Sequence, residues 1–252
     1  MLRLVFTITI MLLSVSAYGQ VIEDSIDATD STAVVEMRAI VRCERVTVPD
    51  MRIIDTLDIT VETIGMQTAG FDLKFGTDSR FFEILEVLPG RVVDSCGWEY
   101  FSAYQVRTAG KEDLPRSLWQ AVALAKTSPD STRVGCDELH GENSLVRLVV
   151  SNESLAEVPD TTAPIFFFWE DCSDNSLSDQ SGSSLLISSN VYDYFGVELS
   201  EGKDMLPTRK GTPRQCVSQR ATNQPKRVVD FHNGGVEFKL DIGEETAEPA
   251  GE

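Results

Sequence analysis

The chain has 252 residues, 42% hydrophobic and 25% charged, and its 22 Lys and Arg against 40 Asp and Glu give a formal net charge of -18. That apolar content excludes a low-complexity or fully disordered chain, and that acidity excludes a nucleic-acid binder, which needs a basic footprint to displace counterions from phosphate. The length suffices for a sizeable core without dependence on disulfides or metals.

Met1-Leu2-Arg3, the apolar run from Leu4 to Val15 and the small residues of Ala17-Tyr18-Gly19 read as a signal peptide over residues 1–19, cut before Gln20. The apolar run falls short of the roughly 20 residues of a membrane span, and no later segment approaches that length. Export to the periplasm, the cell surface or the medium is expected, with no transmembrane segment. Residues 20–33 and 243–252 are acidic and read as solvated tails on either side of one domain over 34–242.

Within that domain the hydrophobic period is two. Val35, Met37, Ala39, Val41 and Cys43 alternate with Glu36, Arg38, Ile40, Arg42 and Glu44, the pattern of a half-buried strand. The same reading applies to Leu57, Ile59 and Val61, to Phe71, Leu73 and Phe75 against Asp72 and Lys74, and to Phe82–Leu88, which ends at the turn signal Pro89-Gly90. Ser117–Lys126 is read as strand rather than helix because Pro115 and Pro129 bound it closely. Further strands are expected at Leu145–Val150, Ile165–Trp169, Leu185–Ser188 and Val191–Tyr194. Val228–Phe231 and Val236–Leu240 flank His232-Asn233-Gly234-Gly235, a tight-hairpin signal. Many short strands and no long amphipathic helix predict an all-β, antiparallel β-sandwich, one domain with long polar loops at 107–116 and 200–225.

Five cysteines are present, none in a C-x-x-C, and neither His140 nor His232 stands at zinc-site spacing from them. In an exported protein they are expected to form disulfides. The expected pairs are Cys172 with Cys216 and Cys96 with Cys136, leaving Cys43 over. His140 and His232 lie in loops without a nucleophile elbow, so no catalytic residue is assigned. A paired-carboxylate glycosidase leaves no fixed spacing, and forty acids name no pair. Asp171, Asp174, Asn175 and Asp179 offer hard oxygen ligands for a structural calcium ion, although Asp174-Asn175 also suits an Asx-capped turn; no other cofactor is expected. Trp98, Tyr100 and Phe101 form one aromatic patch, and Phe168 and Trp169 close another that begins at Phe166. Exposed, these rings would bind the apolar faces of a sugar or the anchors of a partner protein; buried, they are core.

Thr68-Ala69-Gly70-Phe71-Asp72-Leu73-Lys74-Phe75, followed by Phe82–Gly90, resembles the cohesin family, in which a strand of the type aGf.l.f precedes one of the type lev..v.pG. His140–Val150 is similar to a later cohesin strand. The segments Cys96–Phe101, Phe166–Asn175 and Val229–Val236 extend the likeness to exported bacterial proteins with a cohesin-like sandwich, of the broader carbohydrate-binding-module type. The resemblance implies a jelly-roll sandwich, an extracellular setting and protein-protein attachment across a sheet face. The expected function is therefore a non-catalytic binding or adhesion module with a protein partner. Binding of an extracellular glycan is the alternative, followed by a glycan-active hydrolase or a structural envelope protein.

Overall fold

The computed structural model describes residues 37–49, 56–81, 83–108, 114–127, 135–140, 143–151, 161–170, 174–180, 184–199 and 225–239, all within one compact unit, Val35–Glu252. The expected signal peptide, both acidic tails, Asp171, Cys172 and Cys216 lie outside the described residues.

Thirteen strands and one short helix are described, in the order β1 (Arg38–Cys43), β2 (Arg45–Pro49), β3 (Thr56–Ile64), β4 (Thr68–Thr77), β5 (Glu83–Pro89), α1 (Arg91–Ser95), β6 (Tyr100–Val106), β7 (Ser117–Leu124), β8 (Ser144–Ser151), β9 (Thr161–Phe167), β10 (Ser176–Asp179), β11 (Leu185–Tyr192), β12 (Lys226–His232) and β13 (Gly234–Lys239). The fold is all-β. One layer runs β5-β8-β3-β1-β12-β11 and the other β6-β7-β4-β9-β13-β2, with β10 hydrogen-bonded to both β4 and β11. Most pairings are antiparallel; β1 with β12, β11 with β12 and β2 with β13 run parallel.

The alternation places the core where the sequence pattern expects it. Ala39, Val41 and Cys43, Leu57, Ile59 and Val61, and Phe71, Leu73 and Phe75 are all buried, because successive strand residues point to opposite faces and one face of each strand is apolar. The layers meet through rings. Phe167 of β9 lies edge-on to Phe231 of β12 with centroids 4.9 Å apart, and Trp169 meets the same ring at 5.6 Å. Ser117–Leu124 is a strand, as read.

Two local readings change. The Asn-Gly-Gly segment is not a hairpin: β12 pairs with β1 and β11, whereas β13 pairs with β2 and β9. The chain crosses between layers at Asn233, beside the crossing of the first strands at Glu44, and Gly235 N–H donates to the Glu44 carbonyl at 2.8 Å. A Cβ on Gly234 would strike the carbonyl oxygens of Cys43 and Glu44, so the glycine is needed for close approach of two backbones. The strand before Pro89-Gly90 ends there as read, and the chain then enters α1, whose Val92 and Val93 are buried. Leu185–Tyr192 is one strand with register shifts at Ile187–Asn190, where two strands are expected.

Candidate functional site

The alternation that buries Phe71, Leu73 and Phe75 turns the other side of β4 outward, and the register extends this surface sideways. Tyr100 of β6 lies opposite Leu124 of β7, Leu124 opposite Gly70 of β4, Gly70 opposite Ser178 of β10, and Ser178 opposite Leu185 of β11. The next row is Ser102, Val122, Asp72 and Ser176, and the next is Tyr104, Gln120 and Lys74. Residues facing one another across a ladder share a side. These rows therefore form one continuous outer face.

Its exposed large side chains are Tyr104 (51% exposed), Tyr100 (43%), Leu124 (40%) and Leu185 (38%). Tyr104 donates its hydroxyl to Gln120 Oε1 at 2.7 Å, and Gln120 Nε2 donates to Asp72 Oδ1 at 2.8 Å. This line of hydrogen bonds across β6, β7 and β4 holds the tyrosine against the sheet. Gly70 is buried beneath Leu124 and Ser178, which close over it; a Cβ there would come within 2.7 Å of the Ala123 carbonyl oxygen and 2.9 Å of Ser178 Oγ.

One end of the face is closed. Leu114, Leu118 and Phe168 form a separate apolar cluster, against which Val106 and Phe166 pack. Beside it, the Lys74 ammonium sits 2.8 Å from Asp174 Oδ1 and 2.9 Å from Glu170 Oε2. Burial alone would push this ammonium down, but hydrogen bonds and charge from Asp174 and Glu170 outweigh it and hold Lys74 above its ordinary pKa. Asn175, fully buried with φ 54°, accepts the Lys74 N–H through Oδ1 at 2.8 Å and donates Nδ2 to the Phe168 carbonyl at 2.8 Å. Its side chain bridges the interval of β4 between the stretch paired with β9 and the stretch paired with β10.

The expected site residues are distributed as follows. Trp98, Phe168 and Trp169 are buried, Phe101 is half-buried against the core, and Tyr100 is exposed on the outer face. Both tryptophans thus serve as core, Trp98 against Phe71 and Trp169 against Phe231. Asp174 is engaged by Lys74 and accepts the Glu170 N–H at 2.7 Å. Asp179 accepts the Ser184 N–H at 3.2 Å and lines an open cleft of about 810 Å³ with Met37, Met66 and Glu138. A lysine ammonium occupies the oxygen-rich corner read for calcium, and among the described residues no group of three or more His, Cys, Asp or Glu is placed to hold a metal ion. Cys96 and Cys136 form a disulfide with Cα atoms 5.5 Å apart. Cys43 is a buried free thiol; burial, reinforced by Glu44, pushes its pKa up to about 12, which keeps it protonated and unreactive. His232 stacks on Tyr192 at 4.3 Å, and burial together with Arg42 lowers its pKa. His140 is exposed, 3.5 Å from Glu138.

Tyr104, Leu124 and Leu185 escape the sequence reading as site residues. A signal for the first exists: Tyr100, Ser102, Tyr104 and Val106 recur at the strand period in a segment without charge, Tyr100–Val106. Leu124 and Leu185 carry no such signal, since only the register across strands brings them to Tyr100.

No protein-family model and no curated protein sequence matches the chain. Solved structures similar to it are cohesin modules. They include the cohesin of a type I cohesin–dockerin complex from Clostridium thermocellum (13% identity over 80% of this chain and 99% of that one, TM-score 0.41). A non-cellulosomal cohesin from the archaeon Archaeoglobus fulgidus has 11% identity over 80% and 91%, TM-score 0.42. The seventh ScaB type I cohesin from Pseudobacteroides cellulosolvens has 9% identity over 84% and 98%, TM-score 0.44.

Proposed function

We propose that this chain is a non-catalytic extracellular binding module that attaches a protein partner across the outer face of β6, β7, β4, β10 and β11. The observation that carries this reading is the composition of that face: two tyrosines and two leucines, each more than a third exposed, with Asp72 as the charged group of its open rows. On a chain that is one quarter charged, such a surface is depleted of solvating groups. Interface centres show the same depletion of charge and enrichment in tyrosine. The cohesin-like motifs at Thr68–Phe75 and Phe82–Gly90 support the reading, since their resemblance implies attachment across a sheet face. The disulfide Cys96–Cys136 is consistent with an oxidising, extracytoplasmic setting.

The test presents the immobilised chain to a panel of dockerin modules and extracellular polysaccharides. Binding to a protein of the panel is expected, with silence on the polysaccharides, and the double substitution Tyr100→Asp, Tyr104→Asp should weaken it at least about tenfold, as removal of interface anchors does. Capture that is indifferent to both substitutions, or that is restricted to polysaccharide, would overturn the reading.

A further inference from the structure

β6 borders the layer, and its other side presents a second surface. Among the described residues β7 is its single strand partner. Ala125 N–H donates to the Ala69 carbonyl of the β4 side, and Glu99 N–H on the β6 side donates to the Leu124 carbonyl. Odd-numbered residues of β7 thus direct their main chain to β4 and even-numbered ones to β6, because polar groups alternate along an antiparallel strand. The β6 partners of the even set are Tyr100, Ser102, Tyr104 and Val106. The N–H and C=O groups of Phe101, Ala103 and Gln105 are therefore left on the outer edge.

Edges of this kind are ordinarily blunted by a charge, a proline or a bulge. Tyr100–Val106 has none of these: its sequence is Tyr-Phe-Ser-Ala-Tyr-Gln-Val, and its register with β7 is unbroken. Charge returns just outside the strand, with Glu99 before it and Arg107 after it, both exposed. These two are equidistant from Ala103. In an antiparallel pairing of the strand with itself about Ala103, Glu99 of one copy faces Arg107 of the other at both ends, Phe101 exchanges main-chain hydrogen bonds with Gln105, and Ala103 pairs with Ala103. The parity also matches. Tyr100 falls opposite Val106 and Ser102 opposite Tyr104, so outward side chains meet outward ones and the two outer faces join.

We propose that β6 is a self-pairing edge through which a second copy of this chain adds, in a two-fold antiparallel arrangement centred on Ala103, to form one sheet across two molecules. The proposal is independent of the outer-face reading, since it uses the main chain of the edge rather than the tyrosine side chains.

Sedimentation velocity of the full chain over a concentration series at physiological salt, which screens the net negative charge of the two copies, tests it. A reversible dimer is expected. Arg107→Glu, which sets like charges against each other at both ends, should raise the dissociation constant about tenfold, and Glu99→Arg combined with Arg107→Glu should restore it. Ala103→Pro removes one N–H from the edge and should abolish the dimer while leaving the far-UV circular dichroism unchanged, because proline is tolerated where that N–H faces solvent. A chain that stays monomeric at its highest soluble concentration would overturn the proposal, as would a dimer indifferent to Arg107→Glu and Ala103→Pro.

Discussion

Lys74 shows how far a single side chain can depart from its place in an alternating pattern. It follows Leu73 and precedes Phe75 on a strand whose apolar positions face the core, so alternation sends it outward, and outward it goes. Yet it is only 5% exposed, because Phe168, Glu170, Asp174 and Asn175 close that end of the face. Period two reports which side a residue takes and carries no information on what later segments lay over that side. The same limit explains why the acids near Asp174 suggest a metal: oxygen ligands are visible in their own segment, whereas their counter-ion comes from a strand a hundred residues earlier. Removing that counter-ion strands the Asp174 carboxylate in the interior. Lys74→Met should therefore lower the unfolding free energy by about 3 kcal/mol, and Asp174→Asn added to it should recover part of the loss. Urea unfolding of the two variants decides the matter; equal stability of wild type and Lys74→Met would show that the pair has no net role.

At the scale of elements, strands with one apolar face were legible and those defined by their neighbours were not. β1, β3 and β4 follow from alternation, as in the inward row Leu57, Ile59 and Val61, and β7 follows from the prolines that bound it. β10 is four residues, Ser-Leu-Ser-Asp, and exists as a strand because β4 and β11 lie on either side of it. The Asn233-Gly234-Gly235 step was misread for a physical reason. Glycines that allow a tight turn equally allow two backbones to touch, and local sequence does not distinguish these uses. Here contact is the use, so Gly234→Ala should cost about 2 kcal/mol or more, as overpacking against rigid backbone does. Thermal unfolding monitored by circular dichroism checks this, and an unchanged midpoint would mean that the crossing can open without penalty. The outer face was half legible for a related reason: Tyr100 stands out by composition, but its neighbours Leu124, Ser178 and Leu185 assemble only through the pairing order.

For the whole molecule, two kinds of long-range tie hold distant parts of the chain together. The disulfide closes a loop of 40 residues from the end of α1 to Cys136, whose backbone bridges Thr68 at the start of β4. Loop-closure entropy for that length implies about 4 kcal/mol of stabilisation. Cys96→Ala with Cys136→Ala should lower the guanidinium midpoint accordingly, leaving the layer order intact; a midpoint equal to wild type would show that the cross-link acts on neither state. The second tie is the pairing of the first strands with the last, β1 with β12 and β2 with β13. Ala39 meets Val229 and Val46 meets Val236, contacts between opposite ends of the described chain. Such separations give a high contact order and hence slow folding. They also set a schedule: on a chain emerging amino end first, one side of Arg38–Cys43 and the strand Arg45–Pro49 wait for residues 226–239, so neither layer can complete its pairing before those residues emerge.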